Sequence, residues 1–529
     1  PTIPPAGLRC AGAPAIMLDH IRNIMPDETT IPAAVPASSD APDTPPLPAA
    51  PGLARRGRLH RLKSWLTHST DDDASRLELT AYSIGGIGQG MSSGSIEQLA
   101  MPILNMTLNV DPAKLGLIRS IKLLWDGIND PLFGHITDNA KTRWGRRRPF
   151  IALGGVLVGL LTFGMWWMPL GKTEWWYLVY FGIAIMLIET AATIFTVPYY
   201  ALGIEMSPTY HGRTRVAAYR SFLGGLAGML TPWFLVFCTL PIFCGILIGA
   251  RWLSIGLGTI AIITALFAAK MCKERTHVSN AGPREHFFTA VLGCANNSHF
   301  WKVTMMYVIM GTAGSLFGQV GSYVSIYYVF HGSIAAGARL GAIAGTLGTI
   351  LAMCGIPLVA WASKRLGKHG AMRCAVLLML AGDLLRWVLY NPQHPWLILF
   401  SPFTYSIGIS ATYTILSSMQ ADVVDVDELQ SGRRREGMFG AVSSVVMKAS
   451  FALATAFSGI ILNMTHFDSA LGGAQTDQTF FTMRILFSVA PACANALVLL
   501  LLYKYPLTAA RMDEIRCELQ RRRAAKLEA

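Results

Sequence analysis

Asp126 and Asp130 stand four residues apart in Trp125-Asp-Gly-Ile-Asn-Asp-Pro131. On a helix they share a face and differ by about 6 Å in height, so two carboxylates would line one cavity. They fall within an apolar run near 114–137, and carboxylates inside a membrane span are costly and mark an ion or solute path. An acid pair with nearby hydroxyl oxygens suits a hard monovalent cation or a proton, because either relieves the repulsion between the carboxylates. The alternative is that Arg119 and Lys122, on the same face at helical spacing, simply neutralise the acids. Lys448, deep in a later apolar run, competes as a partner, and its charge could hold an empty site together until a cation displaces it.

Other ionisable residues also sit in apolar runs. An unpaired guanidinium at Arg220 would be expensive; its planar fork fits vicinal hydroxyls or an acid, or it bridges two parts of the fold. Glu97 and Glu189 could each be a hydroxyl acceptor, a proton site or an interhelical partner. Glu189 shares a helical stripe with Thr193 and Thr196, so it is expected to turn inward, toward Arg220, Asp126 or Asp130. Asp383 and Arg386, three apart, are expected to neutralise each other.

The elements that must position these groups are membrane helices. The 529 residues are 52% hydrophobic and only 14% charged, with a mean hydropathy of +0.41. Apolar runs able to cross about 30 Å of hydrocarbon lie near 78–106, 114–137, 149–169, 174–201, 216–240 and 249–271. Six more lie near 300–329, 340–362, 374–390, 394–418, 437–462 and 480–503. The fold class is therefore all-α and polytopic, with about 12 transmembrane helices. Loops two, four, six, eight and ten hold about 18 Lys and Arg against about four in the odd loops, which places both termini in the cytoplasm. The net charge of +13 then reads as topology and attraction to anionic membrane lipid, not nucleic-acid binding.

Twelve of the 28 prolines lie in the first 51 residues, so 1–75 reads as a disordered Pro/Ala-rich cytoplasmic tail. It ends in a short basic amphipathic segment, Arg58–Leu66, and carries no secretory signal. A basic tail, 505–529, closes the chain. Nine cysteines show no metal spacing; Cys238 and Cys244 are expected to lie together near the outer face, leaving a disulfide open. Gly85, Gly86, Gly88, Gly90 and Gly94, with Gly224 and Gly228, are expected to permit close helix approach. Gly90-Met-Ser-Ser-Gly94 matches a hydrolase elbow but lacks the strand-turn-helix context, and no enzyme or cofactor is expected.

The basic loop Asp138-Asn-Ala-Lys-Thr-Arg-Trp-Gly-Arg-Arg-Arg148 has a faded counterpart in Ser363-Lys-Arg-Leu-Gly-Lys368. Two matching halves, 76–271 and 300–504, joined by a cytoplasmic loop at 272–299, point to the two six-helix bundles of the major facilitator fold. Trp125–Pro131, Gly134 and Arg143–Pro149 resemble the signature of the glycoside-pentoside-hexuronide:cation symporters, of which melibiose permease is a familiar member. Thr193–Tyr200, Arg213–Arg220, Ala421–Asp425, Glu436-Gly437 and Lys448 agree in the same order.

The resemblance implies cation-coupled (Na+, H+ or Li+) symport of a sugar-like solute by alternating access at the cell (inner) membrane, with a monomer as the functional unit. It implies a cation site at Asp126, Asp130 and Thr193, a possible Na+ site, with Lys448 beside it. It makes Arg220 a sugar-binding position and sets Tyr200 and Tyr413 at the substrate. The two carboxylates that hold a galactoside in melibiose permease fall on Gly90 and Thr196, so melibiose is expected to be a poor solute, with Glu97 or Glu189 as replacement acceptors. A lysolipid or amphiphile carrier is the alternative transporter, and a non-transporting sensor or scaffold the alternative of another class. Asp138 beside Arg146, Arg147 and Arg148, and Asp422 and Asp425 facing Arg434 and its neighbours, are expected to latch the halves across the cytoplasmic gap in the outward-open state and to part on inward opening, or else to be solvated topology signals.

Overall fold

Helix signals in the sequence are realised as caps. Ser75 Oγ accepts the Glu78 N–H while Glu78 Oε2 accepts the Ser75 N–H, a reciprocal box that opens α1 (Arg76–Ala100). Asp111 Oδ1 accepts the N–H groups of Ala113 and Lys114, and Pro112 takes the first helical position of α2 (Pro112–Asn139). The computed structural model describes residues 74–140, 142–207, 209–274, 297–432, 435–503 and 505–528, all within one compact unit. Most of the expected tail with its Arg58–Leu66 segment, residues 275–296 of the middle loop, Arg433 and Arg434 lie outside the described residues.

Every regular element described is helical. After α2 come α3 (Arg148–Met165), α4 (Glu174–Glu205), α5 (Tyr210–Gly228), the short α6 (Trp233–Cys238) and α7 (Ile246–Met271). Then follow α8 (Ser298–Tyr323), α9 (Ile334–Leu389), α10 (Ser401–Ser431), α11 (Glu436–Met464), α12 (Asp477–Tyr503) and α13 (Ala509–Glu528). The expected apolar runs fall on these helices, the fifth divided between α5 and α6, and among the described residues eight helical stretches, His211–Cys238 counted as one, are long and apolar enough to cross a membrane. On α2, Leu117, Ile121, Leu124, Ile128, Leu132 and Ile136 form an exposed stripe at helical spacing, opposite the charged residues. Such an apolar exterior requires a lipid surrounding.

The eighth and ninth runs are two helices that meet at Gly367, within the expected basic segment Ser363–Lys368, with no longer loop between them. Gly367 alone breaks α9, at φ 71°, a left-handed conformation that glycine adopts without steric cost. Ser363–Lys368 is helical up to and beyond that break.

Helices α1 to α7 pack chiefly on one another, and α8 to α12 do likewise, each group around its own apolar core. The two groups meet along α2 and α11, where Gly116 and Gly459 leave no room for a side chain: a Cβ on Gly116 would lie 2.8 Å from the Thr455 carbonyl oxygen, and one on Gly459 would strike the Pro112 carbonyl. The same end is tied by Tyr323 Oη donating to Asn105 Oδ1 (2.7 Å), Asn463 to Asp111 (3.2 Å) and Ser469 to Asn109 (2.9 Å). In the first group, α1 approaches α7 through Gly85, against the Ala268 side chain, and Gly88, against the Ala261 backbone. Gly224 and Gly228 meet nothing within 4 Å and serve no such packing. Cys238 is buried, Cys244 is exposed, and both are free thiols, so the disulfide does not form.

The C-terminal segment is more than a basic tail. Met512, Ile515 and Leu519 recur at helical spacing on α13 and are buried in the core of the second group. Arg516 bonds Asp422 (2.8 Å) and Arg523 bonds Glu428 (2.8 Å), so a charged rim on α10 surrounds the apolar contact.

Candidate functional site

Turning the apolar stripe of α2 outward turns Arg119, Lys122, Asp126 and Asp130 inward, because the two sets lie on opposite faces. Lys448 Nζ, from α11, donates to Asp126 Oδ2 (2.8 Å) and Asp130 Oδ2 (2.6 Å) across the seam between the groups. Thr193 Oγ1, buried on α4, stands 3.5 Å from Asp126 Oδ1 and donates to the Glu189 carbonyl at 3.1 Å. Thr190 Oγ1 accepts from Trp125 Nε1 (3.0 Å) and Asn129 Nδ2 (3.3 Å), which fixes the register of α2 against α4. Pro131 has no N–H to give the Gly127 carbonyl one turn earlier, which leaves another oxygen acceptor in the same turn. The structure thus brings Asp126, Asp130, Thr193 and Lys448 into one cluster.

Arg119 and Lys122 do not neutralise that acid pair. Arg119 bonds Glu97 of α1, and Lys122 lies 3.6 Å from Glu97 and 3.4 Å from Glu189. Glu189 does turn inward, but its partner is Lys122 and not Arg220, Asp126 or Asp130. The reason is height: Lys122 is one turn from Asp126, level with Glu189, which is one turn from Thr193. Glu97 was legible as an acid within an apolar run; its bridging lysine could be found only with the three helices packed.

Arg220 lies over the Tyr200 ring (4.9 Å), beside the Tyr82 hydroxyl of α1. Tyr82 stacks on Tyr199 (4.4 Å) and was not singled out from the sequence. Gly90 is exposed, and a Cβ built there meets nothing within 4 Å, so α1 borders open space at that turn. Thr196 is half-buried on α4. Tyr413 sits apart in the second group, its ring 5.6 Å from Tyr307, whose hydroxyl donates to the Tyr413 carbonyl (3.3 Å).

In this conformation the charge clusters at the other end pair within each group, as a latch that breaks on inward opening would leave them. Arg146 and Arg147 both bond Glu205 of α4 (2.7 Å), and Arg147 lies 3.6 Å from Asp138. The Glu274 carboxylate accepts the backbone N–H groups of Arg146, Arg147 and Arg148 at 2.7, 2.8 and 2.9 Å, capping the N-terminus of α3 where the helix dipole favours an anion. Arg148 donates to the Ala269 and Lys270 carbonyls. Asp422 is held by Lys368 (2.6 Å) and Arg516, and Asp425 lies 3.6 Å from Arg516. In this conformation each pair closes within one group, through Glu205, Lys368 or Arg516. Arg434 lies outside the described residues.

A cavity of about 400 Å³ opens between the groups at the α1–α2 end, lined by Glu97 and Gln98 on one side and by residues of α8, α9, α10 and α12 on the other. Asp383 and Arg386 border it and pair at 2.8 Å, as their spacing predicts.

Residues 81–509 match the family described as MFS/sugar transport protein. The putative glycoside/cation symporter YagG of Escherichia coli is 24% identical over 78% of this chain and 88% of its own length. The isoprimeverose transporter of Lactiplantibacillus pentosus is 22% identical over 73% of this chain and 80% of its own. Among solved structures, a bacterial homolog to the human lysosomal transporter Spinster, inward-facing and unoccupied, superposes with a TM-score of 0.59 at 15% identity, covering 83% of this chain and 97% of that one. The D-xylose-proton symporter superposes with a TM-score of 0.54 at 13% identity, covering 82% and 97%. These likenesses establish the fold. The chain is a transporter and not an enzyme, and it belongs to the MFS/sugar transport protein family, within the glycoside-pentoside-hexuronide:cation symporters of the major facilitator superfamily.

Proposed function

We propose that the chain carries a sugar or glycoside-like solute inward with one monovalent cation, by alternating access across the cell (inner) membrane. The observation that carries this reading is the Lys448 ammonium held between Asp126 and Asp130. Two carboxylates and one ammonium leave a single negative charge within an apolar span, which one Na+, Li+ or proton neutralises. Thr193 and the freed Gly127 carbonyl add neutral oxygens that suit Na+ or Li+. A cation entering between the carboxylates weakens both Lys448 bonds, and with them a tie between α2 and α11. Cation binding then biases how the halves rock about the seam.

Twelve crossings fit the helices, with 76–271 and 300–504 as six-helix halves, 272–299 joining them, and both termini cytoplasmic by the basic loops. In that orientation the α1–α2 end is the outer end, and its closure makes this conformation inward-facing. Arg220, Tyr200, Tyr82 and Thr196, with the open space at Gly90, form the region offered to solute. One chain supplies every group of the cation cluster, which supports a monomer as the unit. The relatives named for glycosides, isoprimeverose and lactose favour a sugar over a lysolipid or amphiphile. A non-transporting sensor has no need of Asp126, Asp130 and Thr193 together.

The test is uptake of labelled lactose, isoprimeverose and melibiose into proteoliposomes under inward Na+, Li+ or H+ gradients. We expect accumulation above equilibrium under at least one gradient, with melibiose poorest because Gly90 and Thr196 replace two carboxylates. No accumulation of any solute under any gradient would contradict the reading.

A further inference from the structure

We propose that the break at Gly367 in α9 is a docking site for the headgroup of an anionic phospholipid, held by Lys364, Arg365 and Arg373. The site shares no residue with the cation cluster or with the region offered to solute.

Two exposed apolar stripes end at this break. Before it, Leu358 and Trp361 lead at helical spacing to Lys364 and Arg365. After it, Arg373 leads in the same way to Leu377 and Leu384. In a membrane such exposed leucine and tryptophan surfaces meet acyl chains. Gly367 joins the two helical segments without a loop, so Arg365 and Arg373 lie close to it on either side. At the helical rise they stand about 3 Å and about 9 Å from the break along their axes. Trp361 lies where an indole ring marks the boundary between chain and headgroup, and the Arg365 guanidinium sits 5.9 Å from its ring centre.

Charge decides the occupant. Lys368, beside the break, pairs with Asp422, and in the counterpart loop Arg146 and Arg147 pair with Glu205 while Arg148 donates to two carbonyls. Those cations are spent within the protein. Lys364, Arg365 and Arg373 are exposed, and none has a carboxylate partner among the described residues. Their long stems can lie along the apolar surface while the charged ends reach the headgroup layer. Positive charges at the end of two chain-facing stripes match a molecule that carries both parts, a phosphate above and acyl chains below. A zwitterionic headgroup brings its own ammonium, which offsets the attraction, so a net negative headgroup is the better match. A free phosphate would satisfy the cations and leave both stripes bare.

The experiment measures thermal stabilisation of the purified full chain in phosphatidylcholine bicelles as phosphatidylglycerol is titrated in, with inorganic phosphate as a separate arm. The unaltered chain should be stabilised by phosphatidylglycerol and not by phosphate. Lys364→Gln, Arg365→Gln and Arg373→Gln combined should raise the phosphatidylglycerol needed by at least about tenfold. Arg365→Gln and Arg373→Gln made singly should each give part of that loss. Lys172→Gln, Lys270→Gln and Arg339→Gln combined remove the same charge from other exposed positions and should leave the response nearly unchanged. All the replaced side chains are exposed, so melting in phosphatidylcholine alone should match that of the unaltered chain. No stabilisation of the unaltered chain by phosphatidylglycerol overturns the proposal, and so does an undiminished response of the first set of variants. Equal losses in both combined variants reduce the effect to diffuse attraction of surface charge and overturn the site. Stabilisation by phosphate that the first combined variant abolishes overturns the assignment to a lipid.

Discussion

Lys448 Nζ on α11 lies 2.6 Å from Asp130 Oδ2 on α2, so the ammonium that fills the proposed cation site also ties one half of the molecule to the other. Site occupancy and the seam between the halves are thereby the same contact.

That identity predicts the phenotype of Lys448→Met. Removing the competing ammonium leaves the acid pair bare, so cation affinity should rise by about tenfold, the equivalent of about 1.4 kcal/mol, while coupling is lost because cation binding no longer changes the seam. Cation-dependent thermal shifts read the affinity, and solute accumulation reads the coupling. Weaker cation binding would make Lys448 a supporting partner and not a competitor.

Glu189→Gln should cost stability without changing cation dependence. The carboxylate pairs with Lys122 in a network that is neutral as it stands, so its loss leaves a buried lysine sharing Glu97 with Arg119. A lower melting temperature with an unaltered dependence of uptake on H+ and Na+ is expected. Selective loss of proton-driven uptake would return Glu189 to a coupling role.

Gly459→Val should prevent closure of the α1–α2 end, since the added atoms strike the Pro112 backbone. Transport should fall to background while cation binding persists. A reporter cysteine in place of Asn463, with the native thiols removed, should react faster with a membrane-impermeant reagent than in the parent. Equal reactivity would mean that this contact does not hold the end shut.

On α13 the apolar face outweighs the charged rim. Ile515→Ala removes buried methyl groups at a cost of about 2–4 kcal/mol, whereas Arg516 is half-exposed and its pairs with Asp422 and Asp425 are worth about 1 kcal/mol or less. Thermal denaturation should show the larger loss for Ile515→Ala. The reverse order would make the Arg516 pairs the anchor.

The helices and the α2 face could be read from the sequence because apolar length and the four-residue spacing of Asp126 and Asp130 are local properties of the chain. Lys448 was legible as a candidate partner, since a lysine deep in an apolar run must find an acid. Which acid it finds depends on how α11 crosses α2, and the glycine pair that sets that crossing, Gly116 and Gly459, carries no charge to betray it. The same limit hid the Lys122 bridge between Glu97 and Glu189, which joins three helices. The partners of the charged loops were hidden for a related reason: Glu205 and Arg516 are remote in sequence from the residues they neutralise. The docked face of α13 was present as the spacing of Met512, Ile515 and Leu519, beneath a basic composition that drew the reading toward a solvated tail.

The most direct test of the coupling site is the steady-state accumulation ratio of lactose or isoprimeverose in proteoliposomes carrying the unaltered chain, Asp126→Asn or Asp130→Asn, with folding verified by monodispersity and melting temperature. The unaltered chain should concentrate solute at least tenfold under an inward cation gradient, and each asparagine variant should only equilibrate it, with a ratio near one. A folded asparagine variant that still concentrates solute against its gradient would contradict the assignment of Asp126 and Asp130 as the coupling carboxylates.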